Sequence, residues 1–87
     1  MAYMIGRTRV ADYARWYPAF QGNASRRQAA GIKSEQVFRN PADATDVVAL
    51  FETDDAEQVR QFLLSEESQQ RQRGIGSVVD AVHLPET

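Results

Sequence analysis

Five consecutive apolar residues, Val47, Val48, Ala49, Leu50 and Phe51, constrain this chain more than any other feature. Neighbouring side chains of a strand point to opposite faces, so an unbroken run of this kind marks a central strand covered on both sides. The chain has 87 residues, one domain's worth, and a domain of that size buries only about 60% or slightly more of the surface its unfolded chain exposes. The second face of that strand must find its cover in a limited supply of other segments or in another molecule.

The other segments divide by period. Ala2 to Val10 sets Tyr3, Ile5, Arg7 and Arg9 against Met4, Gly6, Thr8 and Val10, the alternation of a strand. From Asp12, a capping residue, Tyr13, Trp16, Tyr17, Phe20, Ala24 and Arg27 share a narrow arc at helical spacing. Pro18 predicts a kink there, because it removes a backbone donor and crowds the carbonyl one turn earlier. Gly22-Asn23 predicts a break, with Asn23 or Ser25 capping a shorter second piece that ends at Gly31.

Alternation returns from Ile32 to Asn40, with Ile32, Ser34, Gln36 and Phe38 opposite Lys33, Glu35, Val37 and Arg39. Pro41-Ala42-Asp43 is turn chemistry joining this strand to Val47–Phe51 through a slightly long loop. Asp54 and Glu57 have the spacing of a capping box before a helix whose Ala56, Val59, Phe62 and Leu63 share one face. Continuing that phase would bury Glu66, Gln70 and Arg73, so the helix is expected to break at Ser65, which caps a polar piece ending at Gly74. Gly74-Ile75-Gly76 reads as a helix end and turn, Val78 to Leu84 as a last strand, and Pro85 as its stop.

The order strand, helix, strand, strand, helix, strand predicts a single α+β domain over residues 1–87, a ferredoxin-like β-α-β-β-α-β sheet with both helical regions on one face. On strand three both faces are apolar, and on strand four Val79 and Ala81 alternate with Val78, Val82 and Leu84. A homodimer closed through the bare sheet face covers that surface without any further domain.

Charge and composition exclude some functions. Ten basic and twelve acidic residues are scattered along the chain, for a net charge of -2, so no broad positive field exists to hold nucleic acid. No segment approaches the roughly 18–20 apolar residues that span a bilayer, and Met1 to Val10 reads as structure and not as a signal peptide. A cytoplasmic location is the default expectation. With no cysteine and one histidine, metal binding is not expected and no thiol nucleophile exists.

The candidate chemistry is sparse. Tyr13, Trp16, Tyr17 and Phe20 form either the wall of an aromatic-substrate pocket or simply core. His83 is the candidate for proton transfer, or else an edge histidine near the terminus; Asp80, three positions earlier on a strand, is expected on the opposite face and so is no partner for it. Arg27 holds the carboxylate, enolate or phenolate of a ligand, or pairs with a strand residue such as Glu52, or lies at the surface beyond the helix break. Arg7 and Arg9 are assigned to the dimer seam.

The run Val10-Ala11-Asp12-Tyr13-Ala14-Arg15-Trp16, followed by Phe20, Arg26-Arg27, Ala30-Gly31, Val37-Phe38-Arg39-Asn40-Pro41 and Phe51-Glu52-Thr53-Asp54-Asp55, resembles the small dimeric α/β-barrel proteins of the antibiotic biosynthesis monooxygenase-like and cyclase group. The resemblance spans nearly the whole chain. It implies two sheets paired face to face, and a cofactor-independent monooxygenase or cyclase that holds an aromatic or polyketide-like substrate between sheet and helices. The Asn and Trp pair of characterised monooxygenases has no fixed match here, since Trp16 is the only tryptophan and lies on a helix, and Ser65-Glu66-Glu67-Ser68 stands where relatives carry a proline. The alternative is a non-catalytic dimeric ligand-binding or structural module.

Overall fold

A computed structural model describes residues 2–84. Its elements run β1 (Ala2–Val10), α1 (Tyr13–Gly22), α2 (Ala24–Ala29), β2 (Ile32–Asn40), β3 (Asp43–Thr53), α3 (Ala56–Leu64), α4 (Glu66–Gly74) and β4 (Ser77–His83). The sheet is antiparallel throughout in the order β2-β3-β1-β4. This is the ferredoxin-like arrangement, with each helical region in two pieces. The predicted stop at Pro85 lies outside the described residues.

Local chemistry explains most boundaries. Asp12 caps α1 by accepting from the Ala14 amide at 3.0 Å, and α1 runs past Pro18 to Gly22. The break falls at Asn23 as expected, but neither Asn23 nor Ser25 caps α2 with its side chain. Asn23 instead donates from Nδ2 to the Ala19 carbonyl at 3.1 Å, tying the break back to α1. Gly31 follows α2 with a φ of 106°, in the left-handed region where a Cβ would be strained. Ser65 separates α3 from α4, its Oγ accepting from the Ser68 amide at 3.2 Å and donating to the Phe62 carbonyl at 2.8 Å.

Two expectations fail for one local reason each. The cap of α3 is Asp55, which accepts from the Gln58 amide at 3.0 Å; Asp54 turns outward and meets Lys33 at 2.6 Å. The β2–β3 connection is also tighter than expected, because the Asn40 side chain accepts from the Ala42 amide at 2.9 Å and β3 begins at Asp43.

Two sheet irregularities re-sort the faces. Along β2 the pairing jumps from Ile32–Thr53 to Ser34–Glu52, so Lys33 is extra and Ile32 turns to the helix side, where it is buried. Simple alternation had grouped Ile32 with Ser34, Gln36 and Phe38. Along β4 the pairing passes from Thr8–Val79 to Arg7–Ala81, skipping Asp80. Val79 and Val82 thereby face the helices, and Val78 and Ala81 lie on the other side, a different grouping from the alternation of the sequence.

The helix-side core has two clusters. Met4, Ile32, Ala49, Phe51, Val59 and Leu63 form one, and Val10, Trp16 and Val47 the other, with Phe20 packed against both. The opposite face stays open. Gln36, Leu50, Ile5 and His83 form one row across it, and Phe38, Val48, Arg7 and Ala81 the next. Tyr3, Ile5, Phe38 and Val78 are exposed there, Tyr3 and Val78 each by 53%.

Candidate functional site

The site is a cavity of about 70 Å³ between the helix side of the sheet and the two helical regions. α1 and α2 pack mainly on each other and the sheet, as do α3 and α4, and the space opens where the pairs meet. Small residues of β1 and β3, Gly6 and Ala49, paired across the ladder, form its floor and leave the space open. Trp16, Phe20, Phe62 and Leu63 wall it, and Asn23, Arg26, Arg27, Arg71 and Gln72 supply its polar groups together with the hydroxyls of Thr8, Ser68 and Ser77.

Of the aromatic stripe on α1, Trp16 and Phe20 line this cavity, and their rings lie 4.8 Å apart. Tyr13 and Tyr17 stack on each other at 5.6 Å beside the second core cluster. Tyr13 also sits under the Arg39 guanidinium at 4.8 Å and borders a separate shallow groove with Asp12 and Thr45. A helix turns 100° per residue, so one stripe reaches two environments along its length.

Arg27 is buried and grips Glu35 with two hydrogen bonds, Nε at 2.6 Å and Nη2 at 2.7 Å. Its partner is thus Glu35 and not Glu52, which accepts instead from the Ser34 hydroxyl at 2.8 Å. The guanidinium also lies 3.6 Å from the centre of the Phe20 ring. Arg27 therefore fixes Phe20 against the cavity and links α2 to β2.

His83 is on the open face of the sheet, in register with Ile5, and does not line the cavity. The bulge also changes the reason that it has no Asp80 partner. Asp80 reaches Arg9 at 3.3 Å, and Arg9 belongs to the open face, so the two residues are not segregated by alternation; Asp80 is engaged elsewhere. Arg7 lies on the same face and bonds Asp46 at 3.0 Å, which holds the Asp46 carboxyl below its ordinary pKa.

Arg26, Arg71, Asn23 and Gln72 are cavity residues that sequence reasoning missed. Arg71 and Gln72 stand on a helix with almost no apolar residues, which reads as a solvated surface. The available signal was the buried Ser68 one turn before Gln72: the Gln72 side chain donates to Ser68 Oγ at 3.0 Å and so faces the sheet. Among the described residues no three His, Asp, Glu or Cys side chains come together as metal ligands would. None of the helices described is long and apolar enough to cross a membrane.

A ferredoxin-like sheet with a small apolar cavity under two helical regions and one face bare defines the class of protein. Neither a protein-family model nor a curated protein sequence matches the chain. Solved structures do match it in fold. SnoaB, a cofactor-independent oxygenase from Streptomyces nogalater, superposes with a TM-score of 0.71 at 14% identity, covering 99% of this chain and 91% of that one. An antibiotic biosynthesis monooxygenase gives 0.70 at 14% identity, covering 100% and 98%. A dimeric ferredoxin-like protein from an uncultured marine organism gives 0.54 at 11% identity, covering 98% and 91%. The chain shares the fold of these proteins over nearly its whole length.

Proposed function

We propose that this chain is the protomer of a cytoplasmic homodimer that binds a small aromatic or polyketide-like molecule between its helices and sheet, and acts on it as a cofactor-independent monooxygenase or cyclase. The observation that carries the reading is the cavity of about 70 Å³ walled by Trp16 and Phe20 over a floor of Gly6 and Ala49. Its flat walls suit an aromatic ring, and the arginines at its edge suit an oxygen that already carries negative charge, as in an enolate, phenolate or carboxylate. The bare sheet face is the seam in this reading, and His83 contributes to that seam and not to the cavity. The volume falls below the roughly 300–1,000 Å³ of ordinary small-molecule sites. Admitting a ring system thus requires α1 and α2 to part from α3 and α4.

Two facts, a small cavity and no histidine or carboxylate among the described residues lining it, favour a second reading, a non-catalytic dimeric module. Titration with anthrone under oxygen separates the two. Oxidation of its ring CH2 to a carbonyl consumes one O2 and releases one water, so oxygen uptake reports chemistry. The single indole N–H signal of Trp16 reports binding. Monooxygenase activity requires both to respond, a shifted indole without uptake leaves a binding protein, and an unmoved indole rules out anthrone as a ligand of the cavity.

A further inference from the structure

We infer that the cavity selects a ligand that arrives already ionised, an aromatic acid whose carboxylate or equally acidic oxygen sits between Arg26 and Arg71; this rests on reading the cavity as the binding site. Three arginines line it and not one aspartate or glutamate, in a chain whose acidic residues outnumber its basic ones. The three cations differ in availability. Arg27 is committed to Glu35 through two short bonds and is buried. Arg26 is exposed, its one side-chain bond is a long 3.5 Å contact to Asn23, and no carboxylate of the described residues lies within salt-bridge distance of it. Arg71 pairs with Glu67, whose side chain is 85% exposed. A pair that wet is weak, and a ligand acid can take its place.

The complementary observation is what the lining lacks. Among the described residues it contains no His, Lys, Tyr, Asp or Glu, so none of those side chains accepts a proton near neutral pH. A weakly acidic ligand would bury its proton with nothing to remove it, whereas an ionised one brings its charge to two waiting guanidinium groups. The apolar walls then hold its ring.

The test compares 2-naphthoate with its neutral counterpart 2-naphthamide, titrated at pH 7 by calorimetry while the Trp16 indole signal is followed by NMR. Naphthoate is expected to bind about tenfold or more tightly than the amide, as a hydrogen bond to a charged group implies. Arg26→Gln and Arg71→Gln should each weaken naphthoate several-fold and leave the amide unchanged. Both arginines are at the surface, and matched thermal melts verify that the variants fold. Equal affinities for acid and amide, with the indole shifted by both, overturn the charge selection and leave the binding site standing. An indole that neither compound moves overturns the charge selection and the cavity reading together.

Discussion

The most exacting consequence of this structure concerns Arg27 and Glu35, because one ion pair links a helix, a strand and the cavity wall. Arg27→Met removes two charge-assisted bonds of 2.6 and 2.7 Å and the contact with Phe20 at 3.6 Å, while keeping an apolar side chain of similar length. Breaking a fully buried pair costs about 3–5 kcal/mol. The Arg27 side chain is 6% exposed but that of Glu35 is 26% exposed, so the orphaned carboxylate recovers part of its hydration. The expected loss is therefore roughly 2–4 kcal/mol, a large share of the ~5–15 kcal/mol of a typical domain. For a chain of this length that lowers the melting temperature by roughly 10 °C or more. Arg27→Met with Glu35→Leu removes both charges, and should recover stability to within about 1 kcal/mol of the parent. Urea melts of the parent, Arg27→Met, Glu35→Leu and the double variant at one fixed concentration give the coupling energy directly. A loss below ~1 kcal/mol in Arg27→Met, or a double variant no better than the single, would refute the pair as a structural tie.

Ile5→Glu places a charge at the centre of the open sheet face, between Leu50 and His83, and should convert the proposed dimer to monomer in sedimentation; a dimer that persists rules out that face as the seam. Gly6→Ala adds a Cβ 3.6 Å from Phe51 and 4.0 Å from Leu63. It should stabilise by roughly 0.4–1 kcal/mol in thermal melts while weakening naphthoate, since it fills the floor. Asp55→Ala should cost about 1 kcal/mol as a lost cap, and Asp54→Ala clearly less, as a lost surface pair; the reverse order would restore the capping-box assignment. Hydrogen bonds from Arg7, Lys33 and Arg60 lower the pKa values of Asp46, Asp54 and Glu57 respectively. Their contribution is complete above the unfolded values and is lost as pH falls through the folded ones, so the urea midpoint should hold above roughly pH 5 and decline below roughly pH 4. A midpoint unchanged down to pH 3 contradicts those bonds.

The order of elements was legible because each period change coincides with a capping or terminating residue: Asp12, Gly31 and Ser65 all sit at the ends that the structure shows. The faces of β2 and β4 were less legible, because one extra residue in a strand reverses every later assignment and nothing in the composition marks it. Lys33 and Asp80 are ordinary polar residues on edge strands, and only pairing with β3 and β1 reveals that Ile32 and Val82 turn inward. Arg27 was recognised as falling on the buried arc, yet its partner was not. Glu35 and Glu52 both lie on strands, and the choice between them depends on the sheet order and on the Lys33 irregularity. The cavity arginines were hidden for a different reason. Arg26 and Arg71 are outward residues of short polar helices, and they share a site only because the two helical regions meet above Gly6 and Ala49.

That meeting point limits the chemistry. The β1–β3 ladder lies between the cavity and His83, so a proton taken up inside would have to cross a sheet whose central pairs are Ile5–Leu50 and Gly6–Ala49. Within the cavity the ionisable groups are arginines, which hold anions and take up no proton at neutral pH. A reaction there depends on what the bound molecule brings: its own acidity, because no side chain removes the proton, and its own electrons if dioxygen is the partner. In the proposed reading the protein's part is to fix the anion, keep water from the ring with Trp16 and Phe20, and brace that wall through Arg27. A chain so equipped can accelerate only reactions to which the ligand is already predisposed, so the identity of the acid decides whether this cavity catalyses or merely binds.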